Sequence, residues 1–489
     1  VGQRFDGASW LVPPLAVGRL YRQDPAAAVE LAERYGRCTG REARGLGLNW
    51  VLGPVCDVNN NPANPVINVR AWGEDPATAG ALAAAFSRGA QSQGVLCCAK
   101  HFPGHGDTAS DSHLELPLLP HDRERLEAIE LPPFRAAIAA GVASVMTAHV
   151  QLPALDPERP ATLSAAVLSD LLRRDLGFNG LVVTDALVMA AIADRYGAGE
   201  AAVLALEAGA DLVLMPADAD AALAAIEAAV LAGRLSLERL EASLRRRQTA
   251  LNRCDDAGLT IAARCRDGEG PTTATHQRGS GSPSEGHRPL ETAPLAALGD
   301  GPCPEDRALA LELLERSLEW QGGRLGPAVG GGGINLLRLD TLLGTPVLPA
   351  SAPALTLPQI HGYAPLLLEA RCPSPWRRRD GALDPEQPLA LERLGPGPVL
   401  LQLFVRGNPF RGSADGVEPW PAVIHQLQAA ERLAGLAVYG SPYLWESLRP
   451  LLRPGVAAAW SPGQMPLAQT VLLRQLGLDP AAANGGFTD

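Results

Sequence analysis

Residues 95–113 run Val95-Leu96-Cys97-Cys98-Ala99-Lys100-His101-Phe102-Pro103-Gly104-His105-Gly106-Asp107-Thr108-Ala109-Ser110-Asp111-Ser112-His113. The first five are apolar and of strand length. The fourteen from Lys100 onward hold one lysine, three histidines, two aspartates, two glycines and one proline. Glycine and proline at that density exclude a regular helix. The stretch therefore reads as a strand that ends on a charged lysine and opens into a polar loop. Catalytic groups commonly sit on loops held by a rigid scaffold.

Working outward, apolar runs of strand length alternate with helical stretches. Strands are expected at Leu48 to Val55, Val95 to Lys100, Ser144 to Ala148, Leu181 to Thr184 and Leu212 to Met215. Helices are expected at Pro25 to Arg37, Pro76 to Gln91, Glu127 to Ala140, Ser164 to Asp175, Glu200 to Ala208, Asp220 to Ala232 and Ser236 to Asn252. Asp24-Pro25 and Asp75-Pro76 each supply an acidic N-cap followed by proline at the first helical position. This alternation implies parallel βα units. In a (β/α)8 barrel, catalytic residues gather at strand C-terminal ends. Lys100, His149, Asp185 and Met215 with Pro216 all occupy that position. Five strands are too few to close a barrel. An open doubly wound sheet is the competing architecture, and it too would place ligands at strand C-termini.

Residues 253–306 change character, being rich in Gly, Ser, Thr and Pro, and read as a flexible linker. Strand-like and helical stretches resume over 307–489 as a second, smaller α/β unit. The expected organisation is thus a catalytic domain over 1–252, a linker and a C-terminal domain.

A hydrophobic fraction of 46% is ordinary for a globular protein. The net charge of −11 argues against a nucleic-acid partner or an anionic membrane surface. No apolar run is long enough to span a membrane. Of the eight cysteines, Cys97 and Cys98 are adjacent in an expected buried strand. That arrangement suits reduced thiols, and no CxxC pair points to zinc. A reducing, cytoplasmic setting is expected. The start at Val1 rather than Met suggests that an N-terminal segment, with any signal peptide, is missing.

Lys100 to His113 resembles, nearly letter for letter, the signature of the bacterial β-N-acetylglucosaminidases of glycoside hydrolase family 3. Gly180-Leu181-Val182-Val183-Thr184-Asp185-Ala186-Leu187-Val188-Met189 resembles the family's strand carrying a nucleophilic aspartate. Pro65-Val66-Ile67-Asn68-Val69-Arg70 resembles its substrate-binding arginine segment. The likeness covers Val1 to Asn252; the second unit loosely resembles the family's C-terminal α/β sandwich. The resemblance implies a (β/α)8 TIM-type barrel that lacks its N-terminal strands here, with about two strands expected ahead of Val1. It implies Asp185 as nucleophile, His113 as acid/base with Asp111 as its partner, and Arg70, Lys100, His101 and Arg4 as sugar ligands. It implies a carbohydrate substrate, namely cell-wall muropeptides, and no cofactor. One departure matters: the family holds a further substrate aspartate in an Asp-x-Glu-Gly-Gly-like stretch, and this sequence begins just past it.

The residue chemistry is compatible with those roles. Retaining hydrolysis of a glycosidic bond needs two groups about 5 Å apart, one to attack the anomeric carbon and one to protonate the leaving oxygen. Asp185, between two apolar runs, is placed to be fixed on a rim. An imidazole titrates near neutrality, and a carboxylate two residues away on an irregular loop can hold one ring nitrogen. The plainer alternative is that Asp111 and His113 hydrogen-bond the loop to itself. His101, His105, Asp107, Asp111 and His113 are five potential metal ligands, but Gly104 and Gly106 make their loop too soft for a typical site; no metal is expected. Three rival functions stay open here: a β-glucosidase of the same family, a β-N-acetylglucosaminide phosphorylase, and a non-catalytic sugar-binding protein.

Overall fold

A computed structural model describes residues 7–108, 112, 114–264, 302–328, 330, 332–339, 347–368, 389, 391, 394–405 and 419–479. Among them, two β-sheets account for the strands. The first consists of β1 (Trp50–Val51), β2 (Leu96–Phe102), β3 (Ser144–Thr147), β4 (Leu181–Ala186) and β5 (Leu212–Leu214). All are parallel, and the spatial order is β1-β2-β3-β4-β5. A doubly wound sheet reverses its strand order at a switch point. This sheet has none: every strand pairs with its sequence neighbour, as in a barrel. It is an open, curled parallel sheet, consistent with an incomplete (β/α)8 barrel.

Local sequence explains the main elements. Helix α1 spans Pro14–Tyr21, α2 spans Pro25–Gly45 and α3 spans Pro76–Gln91. Asp24 accepts from Ala27 N–H at 3.0 Å, and Asp75 accepts from Thr78 N–H at 2.9 Å, so both expected caps form. Pro14 is the first residue of α1, where its fixed φ suits the helix and its missing N–H is not needed. α2 and α3 pack nearly backbone to backbone. A Cβ at Gly36 would lie 2.2 Å from Phe86 O, and one at Gly89 would lie 2.0 Å from Glu33 O. β1 is shorter than its apolar run because Gly53 and Pro54 interrupt it. The chain nonetheless follows β2 onward, with Cys98 N–H donating to Gly53 O at 2.8 Å and Cys56 N–H donating to Lys100 O at 2.6 Å.

The final helix of this half extends past Asn252, to Arg264. Residues 265–301 of the expected linker lie outside the described residues, and its last three, Pro304 to Asp306, already belong to the next helix. A helix at Pro304–Ser317 then leads into the second sheet: β6 (Glu319–Gln321), β7 (Gly333–Leu339), β8 (Tyr363–Leu368), β9 (Val399–Val405), β10 (Leu433–Gly440) and β11 (Ala457–Ser461). The order is β6-β11-β10-β9-β7-β8, with β6 antiparallel. β8 was not foreseen: it is a mostly exposed edge strand, and Pro365 inside its apolar run argues against a strand on sequence.

One apolar cluster runs through both halves, joining Leu31 and Phe86 to Leu309, Leu313 and Leu314. Arg34 to Glu312 at 2.8 Å and Arg19 to Glu446 at 2.7 Å also bridge the halves. Among the described residues no helix is long and apolar enough to cross a membrane. The described cysteines are free, and Cys56, Cys97 and Cys98 are buried in or beside the first sheet. Burial pushes their thiols up, that of Cys98 to about 12. A thiolate-seeking disulfide reagent is therefore expected to leave these three unmodified in the folded protein and to titrate them in denaturant. Peptide mapping of labelled cysteines checks this.

Candidate active site

The C-terminal ends of β2, β3 and β4 converge on one small polar cluster. β2 delivers Lys100 and His101, and β4 delivers Asp185. His149 lies two residues past the end of β3. Asp57 arrives from the segment after β1 and is fully buried.

Asp57 is the hub. Its Oδ1 accepts the backbone N–H of His101 at 3.1 Å and of His105 at 2.8 Å. Its Oδ2 lies 2.7 Å from His101 Nδ1. Burial works against the charge on Asp57, but the His101 and His105 rings and these hydrogen bonds outweigh it and hold the carboxyl below its ordinary range. An ionised carboxylate can only accept, so Nδ1 of His101 carries a proton. That leaves Nε2 facing Asp185, 3.8 Å from Oδ2.

Asp185 is fixed from several sides. Its Oδ1 accepts from Ala186 N–H at 2.8 Å. Burial alone would raise its pKa; His101, His149, the Ala186 N–H and Lys100 together lower it. The result is an ionised carboxylate on a rigid rim, which is the state a nucleophile requires. Burial, with Arg70 nearby, lowers the pKa of Lys100, while Asp185 pulls the other way. Arg70 thus belongs to the same electrostatic field. It ends the short turn Asn68–Arg70, and its guanidinium donates to Val66 O at 2.9 Å. His149 Nε2 contacts Ala186 O at 3.0 Å and its Nδ1 contacts Thr162 Oγ1 at 2.8 Å, so it braces the strand end that carries Asp185.

The structure therefore brings Arg70, Lys100, His101 and Asp185 together. Arg4, Asp111 and His113 lie outside the described residues. Asp57 was missed on sequence, although a carboxylate directly after the apolar run Leu48 to Cys56 sits in the same relation to its strand as Asp185 does. Asn64 was missed as well. This buried residue donates to His105 O at 2.9 Å and to Gly106 O at 2.8 Å, and accepts from Val66 and Ile67 N–H at 2.8 Å each. It ties the arginine segment to the histidine loop. Gly106 permits that closeness, since a Cβ there would lie 1.8 Å from Val58 O.

His105 and Asp107 do not converge on a metal position. His105 spends Nδ1 on Thr108 Oγ1 at 2.7 Å and Nε2 on Ser112 Oγ at 2.8 Å, while Asp107 pairs with His121 and Arg125. A different set with metal-binding chemistry, Cys38, Glu42 and Asp306, has ligand atoms within 4.8 Å of one another. Protein groups already occupy it. Arg41 and the Cys303 thiol bond to Asp306, and Ser9 N–H donates to Glu42 at 2.6 Å.

Burial pushes His105 down from 6.5 to about 4, with Asp57 opposing. A neutral buried ring favours the fold fully above pH 6.5, and that contribution is lost as pH falls from there towards 4. The loss amounts to about 3 kcal/mol. His105→Gln, which does not titrate, is expected to flatten the fall in unfolding free energy between pH 7 and pH 4.5. Denaturant titrations at several pH values check this; an unchanged slope would assign the acid lability elsewhere.

Comparison with known proteins converges on one family. Residues 1–250 match the family described as "Glycosyl hydrolase family 3 N terminal domain". Residues 329–477 match "Bacterial Glycosyl hydrolase family 3 C-terminal domain". β-Hexosaminidase A of Pseudoalteromonas piscicida is 41% identical over 214 residues, 41% of this chain and 35% of that protein. β-Hexosaminidase of Stenotrophomonas maltophilia (strain K279a) is 41% identical over 228 residues, 46% of this chain and 67% of that protein. The chain thus spans about a third of the length of the first relative and two thirds of the second. The solved glycoside hydrolase family 3 β-N-acetylglucosaminidase from Paenibacillus sp. str. FPU-7 superposes with a TM-score of 0.71 at 30% identity, over 97% of this chain and 81% of that one.

Proposed function

This chain belongs to glycoside hydrolase family 3, and from that premise we propose that it is a retaining β-N-acetylglucosaminidase acting on terminal β-linked N-acetylglucosamine. The observation that carries the proposal is the line Asp57–His101–Asp185, which presents an ionised carboxylate on the strand rim beside Lys100 and Arg70. The names of the relatives support the choice of sugar.

In this reading, Asp185 attacks the anomeric carbon as the glycosidic bond breaks, forming a glycosyl ester. His113, oriented by Asp111, gives its proton to the departing oxygen. It then takes a proton from the water that attacks the same carbon and releases Asp185. His113, Asp111 and Arg4 enter on sequence likeness alone. Lys100, His101 and Arg70 supply hydrogen bonds to sugar hydroxyls, Arg70 in a fork that favours bidentate contact. Peptidoglycan fragments are the proposed natural source of the sugar.

Parallel assays of an aryl β-N-acetylglucosaminide and the matching aryl β-glucoside test the proposal. The expected result is preferential hydrolysis of the first. Preference for the glucoside would overturn the sugar assignment. Release of a sugar 1-phosphate only in the presence of phosphate would overturn hydrolysis itself.

A further inference from the structure

Residues 57–59 do more than hold His101. Asn59, two residues after Asp57 and buried, accepts Asn68 N–H on Oδ1 at 2.9 Å, and its own N–H donates to Gly73 O at 3.0 Å. Asn68 opens the turn that ends in Arg70 and has φ of 43°. Neither polar atom of its buried side chain has a hydrogen-bond partner among the described residues. That turn is therefore held from outside, and Asn59 is one of its holds.

The other end of the Asn59 amide leaves the domain. Nδ2 donates to Tyr443 Oη at 2.6 Å, across 384 positions of sequence. Tyr443 lies on the helix Pro442–Leu448 of the second domain. Its hydroxyl in turn donates to Glu74 Oε1 at 2.9 Å. Glu74 is held by Arg22 at 2.5 Å and by Arg19 at 3.4 Å, and the Arg19 guanidinium lies 5.8 Å from the Tyr443 ring centre. Burial, and then Glu74, push the phenol up, so it stays a donor at neutral pH. Its one proton and one accepting position are both in use.

We propose that Tyr443 is a positioning residue: through Asn59, the second domain sets the seat of Arg70 and so the affinity of the first domain for its sugar. The inference rests on the reading of Arg70 as a sugar ligand. It gives the second domain a task in the reaction without any group that touches the substrate.

The test is Tyr443→Phe, which keeps the ring and removes the hydroxyl. KM for the aryl β-N-acetylglucosaminide is expected to rise about five- to tenfold, the weight of one hydrogen bond, with kcat within about twofold. Glu446→Gln is the control. It loosens the same junction through Arg19 but has no contact with Asn59, and KM should stay at the wild-type value. An unchanged KM in Tyr443→Phe overturns the proposal, as does an equal rise in Glu446→Gln, which would mean general loosening. Should Tyr443→Phe fold poorly, Tyr443→His keeps a ring and an accepting nitrogen, and is expected to give an intermediate KM; one no different from wild type again overturns it. If the wild type turns over neither glycoside, the proposed hydrolysis falls by itself. The same ratios are then read from calorimetric affinity for free N-acetylglucosamine. Wild-type protein that neither hydrolyses nor binds that sugar overturns both.

Discussion

Asp185→Ala is expected to lower kcat on an aryl β-N-acetylglucosaminide by about 10⁴-fold or more, in the range seen when a covalent nucleophile is removed. The loss follows from the environment of the carboxylate. It sits at the end of β4, keeps its charge through His101, His149, the Ala186 N–H and Lys100, and has its backbone fixed by the strand. Among the described residues nothing else on the rim duplicates it, since the nearby Asp57 spends both oxygens on His101 and His105. Alanine also opens space on the face from which the carboxylate is proposed to attack. Azide added to the variant should enter there and return part of the lost rate, yielding an α-glycosyl azide from a β-glycoside. That product is diagnostic, because rescue of a missing acid/base would retain the β configuration. A folded Asp185→Ala protein with more than a tenth of wild-type kcat would remove Asp185 from the mechanism. A β-azide would reassign it as the acid/base.

How far the site could be read in the sequence depends on which physical signal each residue leaves. Lys100, His101 and Asp185 are legible because each closes a nearly continuous apolar run, the mark of a strand buried on both faces. The barrel-type order is legible because short strands alternate with well-capped helices. Asp57 has the same relation to its strand, but Gly53 and Pro54 blur where that strand ends. Asn59 and Asn64 look like loop residues, and nothing local says that one spans two segments and the other two domains. Tyr443 is the extreme case: its role depends on an interface, and no periodicity encodes an interface 384 positions away. Strands β6 and β8 were missed for a related reason. β6 is a three-residue edge strand too short to show a pattern, and in β8 the edge-strand Pro365 breaks an apolar run that would otherwise read as a strand.

Asp57→Asn is expected to lower kcat/KM by about 10²-fold while leaving the protein folded, an effect of the size that misplacing a substrate-binding group produces. The substitution is nearly isosteric. Its Oδ1 can still accept the backbone N–H groups of His101 and His105, so the loop keeps its shape. The change falls on Oδ2, which lies 2.7 Å from His101 Nδ1. With an amide NH2 there, Nδ1 must accept, and the ring proton moves to Nε2. Nε2 faces Asp185 Oδ2 at 3.8 Å. The imidazole then turns an N–H toward Asp185, at a distance too long for a hydrogen bond, and no longer offers the sugar an accepting nitrogen. The same inversion of tautomer underlies the large loss when the buried aspartate of a serine-protease triad becomes asparagine. Asp57→Ala separates this from mere loss of structure. It strips partners from three buried donors and is expected to cost about 3 kcal/mol or more of stability. Thermal unfolding and steady-state kinetics on both variants, with nitrogen NMR shifts of the His101 ring, decide the matter. A folded Asp57→Asn protein whose Nδ1 keeps its proton, or whose kcat/KM matches wild type, would show that the tautomer of His101 does not govern the reaction.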